Sequence, residues 1–255
     1  MKLKLLTINL HCYAETDVKN KQLIIVNEIM NCNADIIFLQ EVAQTHDLKI
    51  IKENIKDDNY GYILQNMLKE QSVDYFYYYE PIKMGYGIYD EGVGILSKFP
   101  LNNKISKLIS KTADYQNWKS RKVLAYDLNL DNKNIRVATT HFGWTDDLEI
   151  FEDQFDLASG VLNENGLAIL AGDFNIAGDS KEYEYIMGLG WHDIFSHHKN
   201  YVNAITFHGD DVSKSKESRI DYIMTNRKIK LINQSILFKK RRVSDHYGVF
   251  AEIEI

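Results

Sequence analysis

Apolar positions along this chain fall into two rhythms, and their order predicts many strands with a few helices between them. Residues 3–10 alternate as a strand ending at Asn9, and Leu23, Val26, Ile29 and Met30 then recur at helical spacing between Asp17 and Asn31. The run Ile36-Ile37-Phe38-Leu39 is short and wholly apolar, the pattern of a strand buried on both faces. A second helix is expected over 46–58. The tyrosine-rich run 75–79 is strongly β-prone and suits packing on a sheet, with an aromatic platform for stacking bases as its alternative.

Further strands are expected over Glu91–Ser97, Val123–Leu130, Ile135–Thr140, Leu167–Ala171, Ile220–Thr225, Leu231–Leu237 and Tyr247–Ile255. Helices are expected around Leu148–Leu162 and Glu182–Met187, and the polar stretch Asp210–Ser218 reads as a loop. The hairpin-like spacing from Val123 to Thr140 implies antiparallel pairing. Few helices among many strands do not suit a doubly wound parallel sheet. The expected fold is an α/β sandwich: two packed, mostly antiparallel sheets flanked by helices.

Composition narrows this a little. Hydrophobic residues make up 45% and charged residues 26% of 255, and Pro81 and Pro100 are the only prolines. With no linker-like stretch, a single domain over 1–255 is expected. The formal charge of -6 argues against a general polyanion binder, whose footprint is a basic face. Cys12 and Cys32 make a poor disulfide framework for this length, so both are expected as free thiols. The opening run MKLKLLTINLH is too short for a membrane span or a signal-peptide core, which leads to an expected cytoplasmic, soluble protein.

Chemistry gathers where the strands stop. Asn9, Gln40-Glu41, His141 and Asp173-Phe174-Asn175 each follow an apolar run, Asp221 lies in RIDYIM, and Asp245-His246 precedes YGVF. A buried carboxylate without a partner is expensive, so such residues are paired, metal-bound or protonated. Taken singly, Glu41 suits a salt bridge as well as a metal, Asn9 suits a turn, and His141 suits a core position. In GDFN, residues two apart point to one side of an extended chain, which would aim Asp173 and Asn175 at one site. Oxygen donors such as Glu41, Asp245 and Asn9 meet the needs of Mg²⁺, with Mn²⁺ as the alternative. The basic run Lys239–Arg242 reads as a solvated loop edge. His11 and His208 are candidates for the site's neighbourhood; His46, His192, His197 and His198 have no supporting pattern.

In this order, from TINLH at 7–11 to SDHYGVF at 244–250, the strings resemble the endonuclease/exonuclease/phosphatase superfamily, the metal-dependent phosphoesterases related to deoxyribonuclease I. The resemblance implies a four-layer α/β sandwich with its site at one end of the paired sheets. It implies that Glu41, Asn9 and Asp245 serve the metal, that Asp173 orients the water or supports the leaving oxygen, and that Asn175 binds phosphate. His246 would contact the scissile phosphate with Asp221 orienting it; His141 would be the second site histidine with Glu91 as its acidic partner. The implied reaction is direct attack of water on phosphorus.

GYGIYDEGVGILSK and HFGWTDD look closest to a small cytosolic branch that includes the maltose 6'-phosphate phosphatase of Gram-positive bacteria. Trp144 would then stack on a sugar ring, with a core or rim position as its alternative. Arg121 would aim at phosphate, with a surface ion pair as its alternative. The expected substrate is a small phosphorylated metabolite. A phosphodiesterase or nuclease of the same fold, and a non-catalytic binding module, are the other readings. No membrane and no obligate protein partner are expected.

Overall fold

A computed structural model describes residues 1–145, 149–162, 166–196, 204–209 and 217–255. The first half of the chain runs β1 (Lys2–Asn9), α1 (Val18–Cys32), β2 (Ile36–Thr45), β3 (Ile50–Lys52), β4 (Ile55–Lys56), α2 (Tyr60–Glu70), β5 (Phe76–Gly85), β6 (Tyr89–Ser97) and β7 (Asn102–Leu108). It continues with β8 (Lys122–Leu130), β9 (Lys133–His141), α3 (Phe151–Gly160), β10 (Leu167–Asp173), α4 (Lys181–Gly188), β11 (His192–Asp193), β12 (Asp221–Thr225), β13 (Lys230–Leu237) and β14 (Gly248–Glu254).

Two sheets form, in the orders β13-β14-β1-β2-β6-β5 and β11-β12-β10-β9-β8-β7. The β1–β2 and β10–β9 pairs are parallel and the other ladders of these sheets are antiparallel. Leu5, Phe38 and Ile95 from one sheet meet Leu124, Val137 and Ile169 from the other in a dry central layer. Fully burying such a side chain stabilises the fold by roughly 1.5–3 kcal/mol. Helices α1 and α2 cover the outer face of the first sheet through Ile25, Ile29 and Leu64, while α3 and α4 cover the second through Phe155 and Ile186. The architecture is the four-layer α/β sandwich.

The expected helix over 46–58 is not formed. Leu48, Ile50 and Ile51 are exposed, so the segment has no apolar stripe to bury, and it folds as the β3–β4 hairpin. The helix comes later, as α2, where the Asn59 side chain caps the amide of Tyr62. Strand β7 was not expected; its residues are mostly exposed at a sheet edge and carry no alternation. In the tyrosine run, Tyr75, Tyr77 and Tyr79 are buried against the core. Leu148, His197, His198 and most of the Asp210–Ser218 loop lie outside the described residues. No helix of the described residues is long and apolar enough to cross a membrane.

Candidate active site

The second sheet lines up three polar residues by register alone. Asp173 ends β10, facing His141 across the parallel ladder with β9 and Asp221 across the antiparallel ladder with β12. A side chain at Gly172 would place Cβ 2.0 Å from the Thr140 carbonyl oxygen, so glycine is what lets β10 approach β9 beside the site.

The first sheet presents its residues differently. Asn9 ends β1 opposite Gln40, yet β2 does not stop at Gln40-Glu41 as the sequence suggested. It continues to Thr45, and its ladder with β6 slips between Leu39 and Val42. Glu41 sits in that slip with a left-handed φ of 50°. A bulge re-aims a side chain without ending the strand, and strain of this kind gathers at functional sites.

From these positions the side chains converge. The Asn9 amide nitrogen donates to Glu41 Oε1 at 2.9 Å and to Asp173 Oδ2 at 3.0 Å, joining the two sheets. Asn9 Oδ1 accepts the His11 amide at 3.1 Å. Asp173 Oδ2 lies 3.6 Å from His141 Nε2 and 3.6 Å from His246 Nε2. Behind His246, Nδ1 meets Asp221 Oδ2 at 2.8 Å. The amides of Ile220 and Asp221 both donate to Thr206 Oγ1, which fixes the start of β12.

Asn175 has its amide nitrogen held inside the protein. Its Nδ2 donates to the Phe142 carbonyl at 2.9 Å and to His141 Nε2 at 3.0 Å, which uses both amide hydrogens. His141 Nε2 therefore accepts, and its proton sits on Nδ1. Asn175 Oδ1 is buried with no hydrogen-bond partner, and so is Asp221 Oδ1. A buried orphan acceptor marks a place for a donor such as water.

Charge is distributed unequally. Burial, with help from Arg121, Lys83 and His246, holds the His141 pKa well below its ordinary value, so the ring is neutral. Burial opposes charge on His246 as well, but Asp221 and Asp173 outweigh it and push its pKa up to about 10. Burial, with Asp221, pushes the Asp173 carboxyl up to about 7, against the pull of His246.

Glu41 lies in a field of other acids. Burial and the nearby charges of Glu91 and Asp245 raise its pKa, with His11 and Lys83 only partly offsetting them. Hard oxygen donors crowded together in this way suit Mg²⁺ or Mn²⁺. Asp173, Asp221 and His246 also lie close enough to share an ion, but an imidazolium paired with Asp221 has no lone pair to give. His11, Glu15 and Asp245 form another close group, in which His11 Nδ1 is 2.8 Å from Glu15 Oε1.

All of this faces a cavity of about 960 Å³. Arg121 and Trp144 both line it. Trp144 packs edge-on to Phe207 at 6.3 Å, and Phe207 lies 5.0 Å from the His246 ring. Glu91 is also in the wall, but its carboxylate pairs with Lys83 Nζ at 2.9 Å. The acid nearest His141 Nδ1 is Glu41, at 3.8 Å. Tyr86 lines the cavity too, and so do Lys83, Trp118 and Phe207, which were not singled out in the sequence.

A family model described as "Endonuclease/Exonuclease/phosphatase family" matches residues 6–246. No curated protein matches the chain. Among solved structures, an endonuclease/exonuclease/phosphatase family protein from Leptotrichia buccalis C-1013-b superposes with TM-score 0.90 at 26% identity, over 99% of this chain and 100% of that one. D. rerio TDP2 complexed with a single-strand DNA product superposes with TM-score 0.70 at 16% identity, over 100% and 99%. A Bacteroides vulgatus endonuclease/exonuclease/phosphatase gives TM-score 0.71 at 17% identity, over 100% and 99%.

Proposed function

The chain belongs to the endonuclease/exonuclease/phosphatase family, and on that premise we propose that it releases phosphate from a small phosphorylated metabolite such as a sugar phosphate. As a member it is a metal-dependent phosphoric ester hydrolase. The observation that carries the reading is Asp173, set 3.6 Å from both a neutral and a cationic imidazole on the floor of one cavity.

Glu41 and Asp245 would hold Mg²⁺, with Asn9 beside them. The ion, when bound, neutralises charge developing on the phosphoryl oxygens. Asp173 orients the attacking water and takes its proton, for which a carboxyl pKa near neutrality is suited. The orphan Asn175 Oδ1 accepts the water's other hydrogen. His246 donates from Nε2 to a phosphoryl oxygen, and Asp221 keeps that ring charged and aimed. His141 is held by Asn175 with its proton on Nδ1. Arg121 supports the phosphate side of the cavity and Trp144 its outer part.

A nuclease or phosphodiesterase is the second reading. It is favoured by the exposed basic run Lys239–Arg242 next to Asp245, and a solved relative of this fold is complexed with a single-strand DNA product. The net charge of -6 and the aromatic cavity wall support the monoester. Free Cys12 and Cys32 fit a reducing compartment such as the cytoplasm.

Inorganic phosphate release from a panel of sugar phosphates, run with Mg²⁺ beside plasmid nicking, tests the choice. Phosphate release without nicking is expected. Nicking without phosphate release would replace the first reading with the second.

A further inference from the structure

Three large aromatic side chains stand exposed around a site whose floor is ionic. Tyr86 is 71% exposed at the β5–β6 turn, Trp118 is 51% exposed and Trp144 is 38% exposed, and all three line the cavity that holds Asp173 and His246. Scattered surface aromatics need no explanation, but three on the rim of one cavity leave apolar surface open where a ligand would cover it.

Trp118 is the most firmly placed of them. Its carbonyl oxygen accepts from Lys83 Nζ at 3.1 Å and from Arg121 NH1 at 2.9 Å, two cations of the cavity wall. The segment around it is closed by turns, with the Asn117 amide donating to the Asp114 carbonyl and the Ser120 amide to the Asn117 carbonyl, both at 3.0 Å. Tyr115 ties the same segment to β6 through its hydroxyl, which donates to Asp90 Oδ1 at 2.5 Å. Its carbonyl accepts the Met84 amide at 2.7 Å. The backbone is therefore ordered while the indole stays half uncovered. Lys119 Nζ lies 5.2 Å from the ring centroid.

We infer that Trp118, with Tyr86 and Trp144, forms a stacking subsite that selects phosphate monoesters whose leaving group carries a ring with an apolar face. This deepens the proposed phosphatase reading and rests on it. Phosphate binds at the ionic floor while the ring lies against the aromatic rim. Two sources share that chemistry: the apolar face of a pyranose and the π-face of a nucleobase. The same grip on Trp118 by Lys83 and Arg121 links the ring subsite to the phosphate subsite, so Arg121 is also a positioning residue for the indole.

Steady-state kinetics with a hexose 6-phosphate, a nucleoside 5'-monophosphate and the ringless glycerol 3-phosphate test this on wild type, Trp118→Ala and Trp118→Phe. The ratio of kcat/KM for a ring-bearing ester to that for the ringless one should fall about tenfold or more in Trp118→Ala, the scale of one lost stacking contact. Trp118→Phe should recover most of it. A fall limited to the hexose or to the nucleotide identifies the source. Equal falls for all three esters, or none, would overturn the subsite. Equilibrium titration of the same compounds with Ca²⁺ present reads the subsite apart from turnover. Wild type that binds ringed and ringless esters equally would overturn it there, whereas tighter ring binding without turnover of any monoester would overturn the phosphatase reading alone.

Discussion

His141 and His246 stand on either side of Asp173, each with Nε2 3.6 Å from the same carboxylate oxygen, yet they carry different charges. On the His246 side, β12 places Asp221 directly behind the ring at 2.8 Å, and the imidazole is held cationic. On the His141 side, Asn175 donates to Nε2, and burial, backed by Arg121 and Lys83, prevails although Glu41 lies 3.8 Å from Nδ1. That ring stays neutral. Distance to one acid does not set the charge of a buried histidine; the balance of burial against all the charges and hydrogen bonds around the ring does. A phosphoryl site gains from the asymmetry, since a cationic donor and a neutral ring are available at one pH.

The comparison breaks most completely if its shared element is removed. Asp173→Asn should lower kcat by roughly 10²–10⁴-fold, the scale for losing a positioned acid or base, in a phosphate-release assay on a folded variant. Asp221→Asn removes the difference between the two sides. It should cost about a hundredfold in kcat, and the imidazole of His246 should fall toward its ordinary pKa. Full activity in that variant would mean that the charge on His246 is irrelevant to turnover. On the other side, Asn175→Ala removes the hydrogen bond that sets the His141 tautomer, and a loss of about tenfold in kcat is expected from one such bond.

The smallest effect is on stability, and the two sides differ in sign. His246 has a folded pKa of about 10 against 6.5 for the ordinary ring. Its contribution is complete below pH 6.5 and is lost as pH rises through 10. His141 is depressed instead, so its contribution is complete above pH 6.5 and is lost as pH falls below that. Denaturant midpoints should therefore converge with wild type toward high pH for His246→Gln and toward low pH for His141→Gln. Parallel curves for both variants would show that the two rings share one environment.

The row His141, Asp173 and Asp221 was legible in the sequence because each residue closes or opens a strand whose apolar run is easy to see, and neighbouring strands in register do the rest. Glu41 was legible as a residue but not as a geometry. A bulge between Leu39 and Val42 has no signature in an unbroken run of apolar and amide side chains. The Asn175 contacts depend on how two amide hydrogens are shared among groups more than thirty residues away, which no local pattern encodes. Lys83 and Trp118 meet across 35 residues through a backbone carbonyl, so neither residue type announces the contact. The misplaced helix at 46–58 has a local cause: Leu48, Ile51 and Ile55 have helix-like spacing but Leu48 and Ile51 have no layer to pack on, while the Asn59 cap lay unread one residue beyond.

Histidine side-chain NMR of the metal-free protein from pH 5 to pH 10.5 tests the central asymmetry most directly, with His141→Gln and His246→Gln assigning the signals. One ring, absent from His246→Gln, should keep imidazolium shifts through pH 8 and titrate near 10, while the ring absent from His141→Gln should stay neutral at pH 6. Two site histidines titrating together near 6.5 would contradict the account.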